Sequence, residues 1–283
     1  MSSQMTHLEG KFSVAKHLSL FYQAWLPDNR QKAIIVLVHG LADHSSRYQN
    51  VVNHLVPRGY AVWTYDQRGH GQSPGPRCYV NRLSDLIGDL KSFSNFVSSQ
   101  NPGTPVFIVG HSMGALESIA FATENPPFVA GYALSGMLLR IGQNVPKLLL
   151  SLSGTLSSLI PHLGVQTIEC EAISRDQSVV KAYIADPLVY TGKVPVRMGA
   201  ELITAMASVQ TKLTAVKSPI LLLHGGADRL ASPSSSQITF DSVSSQDKEI
   251  RIFPGCYHEI FNEPCRDFVL GTLSLWLDKH LPA

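Results

Sequence analysis

The chain has 283 residues, enough for one α/β domain or two smaller ones and for a large buried core. Charged residues make up 16% of it and the formal net charge is +2, which supplies no basic field for a nucleic-acid partner. Four cysteines, Cys78, Cys170, Cys256 and Cys265, show neither metal-type spacing nor a paired framework, so reduced thiols in a cytoplasmic setting are expected.

Met1 to Lys16 is polar and lacks the apolar core of a signal peptide, and no apolar run reaches membrane-spanning length. Leu18 to Trp25 alternates loosely and predicts an early antiparallel strand. Ala33 to Val38 is a continuous β-branched run, which implies a strand buried on both faces, and it leads into His39-Gly40-Leu41-Ala42-Asp43-His44. Arg47 to Arg58 has helical spacing and stops at Gly59. The next strand, Tyr60 to Tyr65, precedes Asp66-Gln67-Arg68-Gly69-His70-Gly71. An amphipathic helix is predicted over Leu83 to Val97, a strand from Pro105 that ends at Gly110-His111-Ser112-Met113-Gly114, a helix after it, and a strand over Val129 to Ser135. This alternation is the pattern of a parallel sheet with right-handed crossovers.

The rhythm breaks between Arg140 and Pro195, where no strand is expected. A structureless stretch of that length is foreign to a compact domain, so an inserted helical cap is predicted over 140–195. The core is then 1–139 and 196–283. The rhythm resumes with a helix near Met198 to Val209, a strand over Pro219 to His224, a helix near Ser234 to Val243, a strand over Glu249 to Phe253 and a last helix from Cys265 to Leu281.

Gly110-His111-Ser112-Met113-Gly114 is a G-x-S-x-G sequence between a buried strand and a helix. In that context Ser112 sits on a sharp, strained turn with its hydroxyl clear of the sheet, and side chains at 110 and 114 would collide with backbone. A serine hydroxyl needs a base, and the base needs a third group to orient it. The strand-end rule and the order Ser, Asp, His select Asp228, in Gly225-Gly226-Ala227-Asp228-Arg229, and His258, in Pro254-Gly255-Cys256-Tyr257-His258. Asp241, Asp247 and Asp267 fall in helix or hairpin positions away from strand ends. His111 packs beside the elbow, and His39 and His224 are expected to support backbone turns. Two N–H donors for an oxyanion follow: Met113, after the nucleophile, and Leu41, in the loop after Ala33 to Val38.

Five stretches, His39 to Tyr48, Asp66 to Ser73, Gly110 to Gly114, Ala185 to Val189 and Gly226 to Leu230, together resemble the α/β-hydrolase superfamily, and within it the monoacylglycerol lipase and lysophospholipase-like branch. The resemblance implies an α/β-hydrolase fold, with a mostly parallel central sheet flanked by helices and an inserted cap, and hydrolysis of single-chain acylglycerols through an acyl-serine, with no cofactor and no metal. It also implies that Asp43, Arg47 and Tyr183 lie near the polar head of the substrate, although Arg47 equally suits a salt bridge that fixes its loop. Phe261 stands where the family often has a second histidine, three positions after the catalytic one.

The apolar residues Leu148, Leu149, Leu150, Leu152, Leu156, Leu159 and Ile160 either pack the cap on the core or line an acyl tunnel whose rim touches lipid. The overall expectation is a serine ester hydrolase acting on a lipid ester, cytoplasmic and in reversible contact with membrane surfaces, its oligomeric state left open. The alternatives are a broad carboxylesterase or lysophospholipase, a peptidase on the same fold that would need an acidic site for a substrate amine, and a non-catalytic binding protein.

Overall fold

A computed structural model describes residues 5–142 and 156–281. Strands β1 (Thr6–Ala15), β2 (Leu18–Leu26), β3 (Ala33–Val38), β4 (Tyr60–Tyr65), β5 (Val106–His111), β6 (Val129–Ser135), β9 (Ile220–Gly225) and β10 (Lys248–Phe253) form one sheet in the order β1-β2-β4-β3-β5-β6-β9-β10. From β4 to β10 every neighbouring pair is parallel, and β2 runs against both of its neighbours. This is the mostly parallel α/β-hydrolase sheet. The loops after β3, β5, β9 and β10 therefore all leave the same edge.

β3 shows why the interior is apolar on both sides. Ile34, Val36 and Val38 join the core under α2 (Leu83–Gln100) and α3 (Met113–Ala122). Ile35 and Leu37 join the opposite core, under α1 (Gln49–Leu55) and α7 (Arg266–Lys279). Successive strand residues point to opposite faces, so a run without polar residues fits only a strand covered twice. The remaining long helices are α4 (Gln177–Ala185), α5 (Val196–Gln210) and α6 (Ser234–Ser242).

Two expectations are corrected and one strand is added. Thr6–Ala15 is a strand paired with β2, and only Phe12 of it is buried, so its apolar content is low because it is an edge. The interval without strands contains a short antiparallel ribbon, β7 (Gly164–Gln166) with β8 (Val194–Pro195), too brief to leave a period-2 signature. Finally, Cys256 and Cys265, expected as separate side chains, are brought side by side, because the turn after β10 folds back on the start of α7. Leu148, Leu149, Leu150 and Leu152 lie outside the described residues. Among the described residues no helix is long and apolar enough to cross a membrane.

Glu117 is an exception inside α3. It is 0% exposed, and among the described residues neither carboxylate oxygen has a hydrogen-bond partner. Burial, then the nearby Asp89 carboxylate, push its pKa well above the ordinary 4.5, so the folded state holds it protonated. Because the folded pKa is raised, this residue's stability contribution is complete below pH 4.5 and is lost as pH rises. Glu117→Gln is expected to raise unfolding stability at pH 7 by up to about 3 kcal/mol, an advantage that closes as pH falls toward the ordinary carboxyl pKa. Urea unfolding of both proteins from pH 5 to 8 measures it, and a gap independent of pH would refute the protonated state.

Candidate active site

Ser112 is the residue between β5 and α3, at φ 55° and ψ −115°. Its N–H donates to Ser135 O on β6 at 2.9 Å, which fixes the turn against the sheet. Glycine at 110 and 114 is a steric requirement. A Cβ on Gly110 would meet Gly114 O and Ser118 Oγ at 2.6 Å, and one on Gly114 would meet His39 O at 2.6 Å. The α3 N-terminus begins at Met113, whose N–H, in the first turn, has no intrahelical acceptor. The loop after β3 comes close from the other side: a Cβ on Gly40 would lie 3.3 Å from Ser112 Cβ. Leu41 and Ser112 line the same cavity.

Asp228 and His258 come from the loops after β9 and β10. His258 Nδ1 donates to Asp228 Oδ2 at 2.6 Å. Asp228 Oδ1 accepts from the N–H groups of Leu230 at 2.8 Å and Ala231 at 3.0 Å. Burial alone would raise the Asp228 pKa, but the charges and hydrogen bonds of His258 and His224 outweigh it and hold the group below the usual carboxylate range. Burial alone would lower the His258 pKa; Asp228, with smaller help from Glu259 and Asp43, lifts it above 6.5.

The other histidines near Ser112 behave differently. The His111 ring is 4.7 Å from that of His258, and burial together with the His258 charge pushes its pKa down to about 3. His39 accepts from the Gln67 N–H and is lowered by burial. His224 contacts Ala231 O at 3.2 Å, as a turn support would, but also Asp228 Oδ2 at 3.1 Å, a contact the sequence did not suggest.

Ser112, His258, Leu41, Asp43 and Tyr183 all line one cavity of about 240 Å³. Much of its remaining wall is apolar, including Leu138, Val165, Ile168, Leu202, Ile203 and Met206. Leu156, Leu159 and Ile160 are not among its described lining residues, and Leu159 is 74% exposed. Among the described residues Asp241 bonds to Gln237 on its own helix, and Asp267 sits in the first turn of α7.

Arg47 makes the loop-fixing salt bridge. It donates to both Glu259 oxygens at 2.7 Å and to Asp43 Oδ1 at 3.0 Å, with the Tyr183 ring 4.5 Å from its guanidinium carbon. Asp43 Oδ2 accepts in addition from Tyr48 Oη–H at 2.9 Å. The Glu259 partner was not anticipated; its only sequence signal is its place directly after His258. Phe261 is buried in the core beside α1 and α7. Arg47→Ala is expected to destabilise the fold by about 3–5 kcal/mol, since it leaves two buried carboxylates without their counter-charge. A thermal melt tests this; an unchanged melting temperature would return Arg47 to a purely ligand-facing role.

The family model described as "Serine aminopeptidase, S33" matches residues 29–265. A monoacylglycerol lipase of Mycolicibacterium smegmatis is 33% identical over 276 residues, 98% of this chain and 99% of that protein. A monoglyceride lipase of Rattus norvegicus is 32% identical over 265 residues, 93% and 88% of the two chains. The solved structure of Paleococcus ferrophilus monoacylglycerol lipase superposes with a TM-score of 0.82 at 29% identity, covering 98% of this chain and 100% of that one. With an elbow, a strand-end Asp–His pair and this likeness along nearly its whole length, the chain belongs to the serine aminopeptidase S33 family of α/β-hydrolases, in the branch that contains the monoacylglycerol lipases.

Proposed function

We propose that this chain is a serine ester hydrolase that releases fatty acid from monoacylglycerol-like single-chain lipid esters. The observation that carries the reading is the 2.6 Å bond between His258 and an ionised Asp228 beside a narrow apolar cavity that Ser112 also lines. Ser112 Oγ attacks the acyl carbonyl while His258 Nε2 takes its proton. The carbonyl oxygen becomes an oxyanion held by the N–H groups of Leu41 and Met113. His258 then gives the proton to the departing glycerol oxygen, and the acyl-serine is left. Water, deprotonated by the same imidazole, attacks the acyl-serine and the fatty acid leaves. Asp228 keeps the proton of the neutral imidazole on Nδ1 and stabilises the imidazolium.

The cavity supports one acyl chain rather than several. Its volume of about 240 Å³ falls below the ~300 Å³ lower end of ordinary ligand pockets. Segment 140–195 acts as the cap over a core of 1–139 and 196–283, and α5 closes the acyl wall beneath it. Tyr183 and Asp43 border the head group, with Arg47 behind them, paired with Asp43 and stacked on the Tyr183 ring. Leu159, Ile160 and Leu163 are exposed at 74%, 44% and 50%, and give the cap an apolar rim for reversible contact with a lipid surface in the cytoplasm. A peptidase would need a free carboxylate for a substrate amine. Among the described residues each carboxylate lining the cavity is paired, Asp43 and Glu259 with Arg47 and Glu169 with Arg229.

Ser112→Ala is expected to lower kcat by roughly a million-fold and to abolish fluorophosphonate labelling. Retained turnover in the purified variant would end the nucleophile assignment.

With each buried methylene contributing up to ~0.8 kcal/mol, kcat/KM should rise roughly tenfold per two carbons until the cavity is full. Gly199 lines that cavity, and a Cβ there meets nothing within 4 Å among the described residues. Gly199→Phe should therefore cut kcat/KM for long-chain monoacylglycerols at least tenfold and leave short p-nitrophenyl esters nearly unchanged. An equal loss on both would sink the acyl-wall reading.

His258 must be neutral to accept the serine proton. Its pKa is raised, so kcat/KM should climb with pH through an inflection on the alkaline side of 6.5 and then flatten. A pH–rate profile with its inflection below that value would contradict His258 as the base.

A further inference from the structure

His224 is 0% exposed at the end of β9, and its ring spans the gap between helix α6 and the Asp228 carboxylate. Its Nε2 has two oxygen neighbours, Asp228 Oδ2 at 3.1 Å and Ala231 O at 3.2 Å. Both are acceptors only, since Asp228 is ionised. The Nε2 proton must therefore be present, and a lone pair aimed at two oxygens would be repelled. His224 Nδ1 is 2.7 Å from Ser236 Oγ, within hydrogen-bond distance. The chain of contacts reads Ser236 Oγ with His224 Nδ1, His224 Nε2–H to Asp228 Oδ2, and His258 Nδ1–H to the same Oδ2.

We propose that His224 is a positioning residue for the reaction, an Nε2–H donor that shares Asp228 Oδ2 with His258 and sets how strongly Asp228 holds the imidazolium. This rests on the reading of Asp228 and His258 given above. The Oδ1 atom is held by two backbone N–H groups, so Oδ2 is the only oxygen left to aim, and His224 and His258 aim it between them. Sharing matters chemically. A carboxylate that spends part of its charge on a fixed second donor attracts His258⁺ less, which keeps the imidazole free to act as base nearer to neutral pH. The other charged or titratable groups around His258 are His111 on β5, Asp43 in the loop after β3, and Glu259 beside it in sequence. Among the described residues none of them is hydrogen-bonded to His224, whose contacts besides Asp228 are Ala231 O and Ser236 Oγ. Through Ser236 the effect reaches α6, a helix that contributes nothing to the cavity wall among its described residues.

The test compares His224→Phe, His224→Gln and Ser236→Ala. Phenylalanine keeps the volume and removes the donor. The expected result is an inflection of kcat/KM moved to higher pH by at least half a unit, with kcat down roughly tenfold and KM nearly unchanged. Glutamine, whose amide restores an N–H toward Asp228, should bring the inflection most of the way back. Ser236→Ala should shift it in the same direction as phenylalanine but less. An NMR titration of His258 in each variant, carried out in the Ser112→Ala background, reads the same shift without any turnover. If the ester assay fails because the proposed reaction is wrong, the titration still decides the role of His224. A lower melting temperature with the His258 titration and the pH profile both unmoved would overturn the proposal and leave His224 a packing residue. So would a glutamine variant that behaves like phenylalanine.

Discussion

The backbone at Ser112 is the constraint around which the rest is arranged. A non-glycine residue at φ 55° and ψ −115° costs on the order of 1–3 kcal/mol and persists only where its surroundings over-determine it. Here the surroundings are β3 and β6 on either side of β5, with α3 pressed against the sheet. Gly110 and Gly114 remove the two side chains that would push α3 away, and the Ser112 N–H is tied to Ser135. Ala115, Leu116, Ile119 and Ala122 then bury the helix. The packing of a whole helix thus holds one strained residue, and the strain leaves the serine hydroxyl raised above the sheet edge where four loops meet.

Buried carboxylates tie those loops together. Asp43, Asp228, Glu259 and Glu263 are nearly or fully out of water, and each has at least one cationic or imidazole partner. Asp43 and Glu259 share Arg47, which joins the loop after β3 to the loop after β10. Glu263 accepts from Ser174 Oγ and from the backbone and side chain of Arg175, and the Glu259 N–H donates to Ile173 O. Asp186 meets His44 at 2.9 Å, and the Tyr190 N–H donates to Ala42 O. Residues 173–190 are in this way fastened to the very loops that carry His258 and Leu41. The cost of removing one partner from such a set far exceeds the net worth of the pair, since it strands a charge in a low dielectric. Glu117 is the exception that fits the rule: with no partner it gives up its charge instead.

The amino-acid sequence by itself determined the sheet. Runs such as Ala33 to Val38 have no polar residue, and only a strand covered on both faces satisfies them. It also determined the elbow, because Gly110, Ser112 and Gly114 answer a local steric demand, and it placed Asp228 and His258 after successive strand ends, where the two side chains meet. β1 was less legible, since an edge strand buries little and carries little pattern. The β7–β8 ribbon is shorter than any period it might display. What only the tertiary structure decided lies between residues distant in the chain. Arg47 and Glu259 are 212 positions apart, and no local spacing announces that the guanidinium is taken by a carboxylate rather than left for a ligand. Cys256 and Cys265 meet because a turn folds back, and Glu117 is buried because its helix is covered on every side. Local sequence encodes backbone shape and periodic burial; it does not encode which charges end up facing one another in a low dielectric, and that is what sets the pKa of His258 and the partners of Asp228.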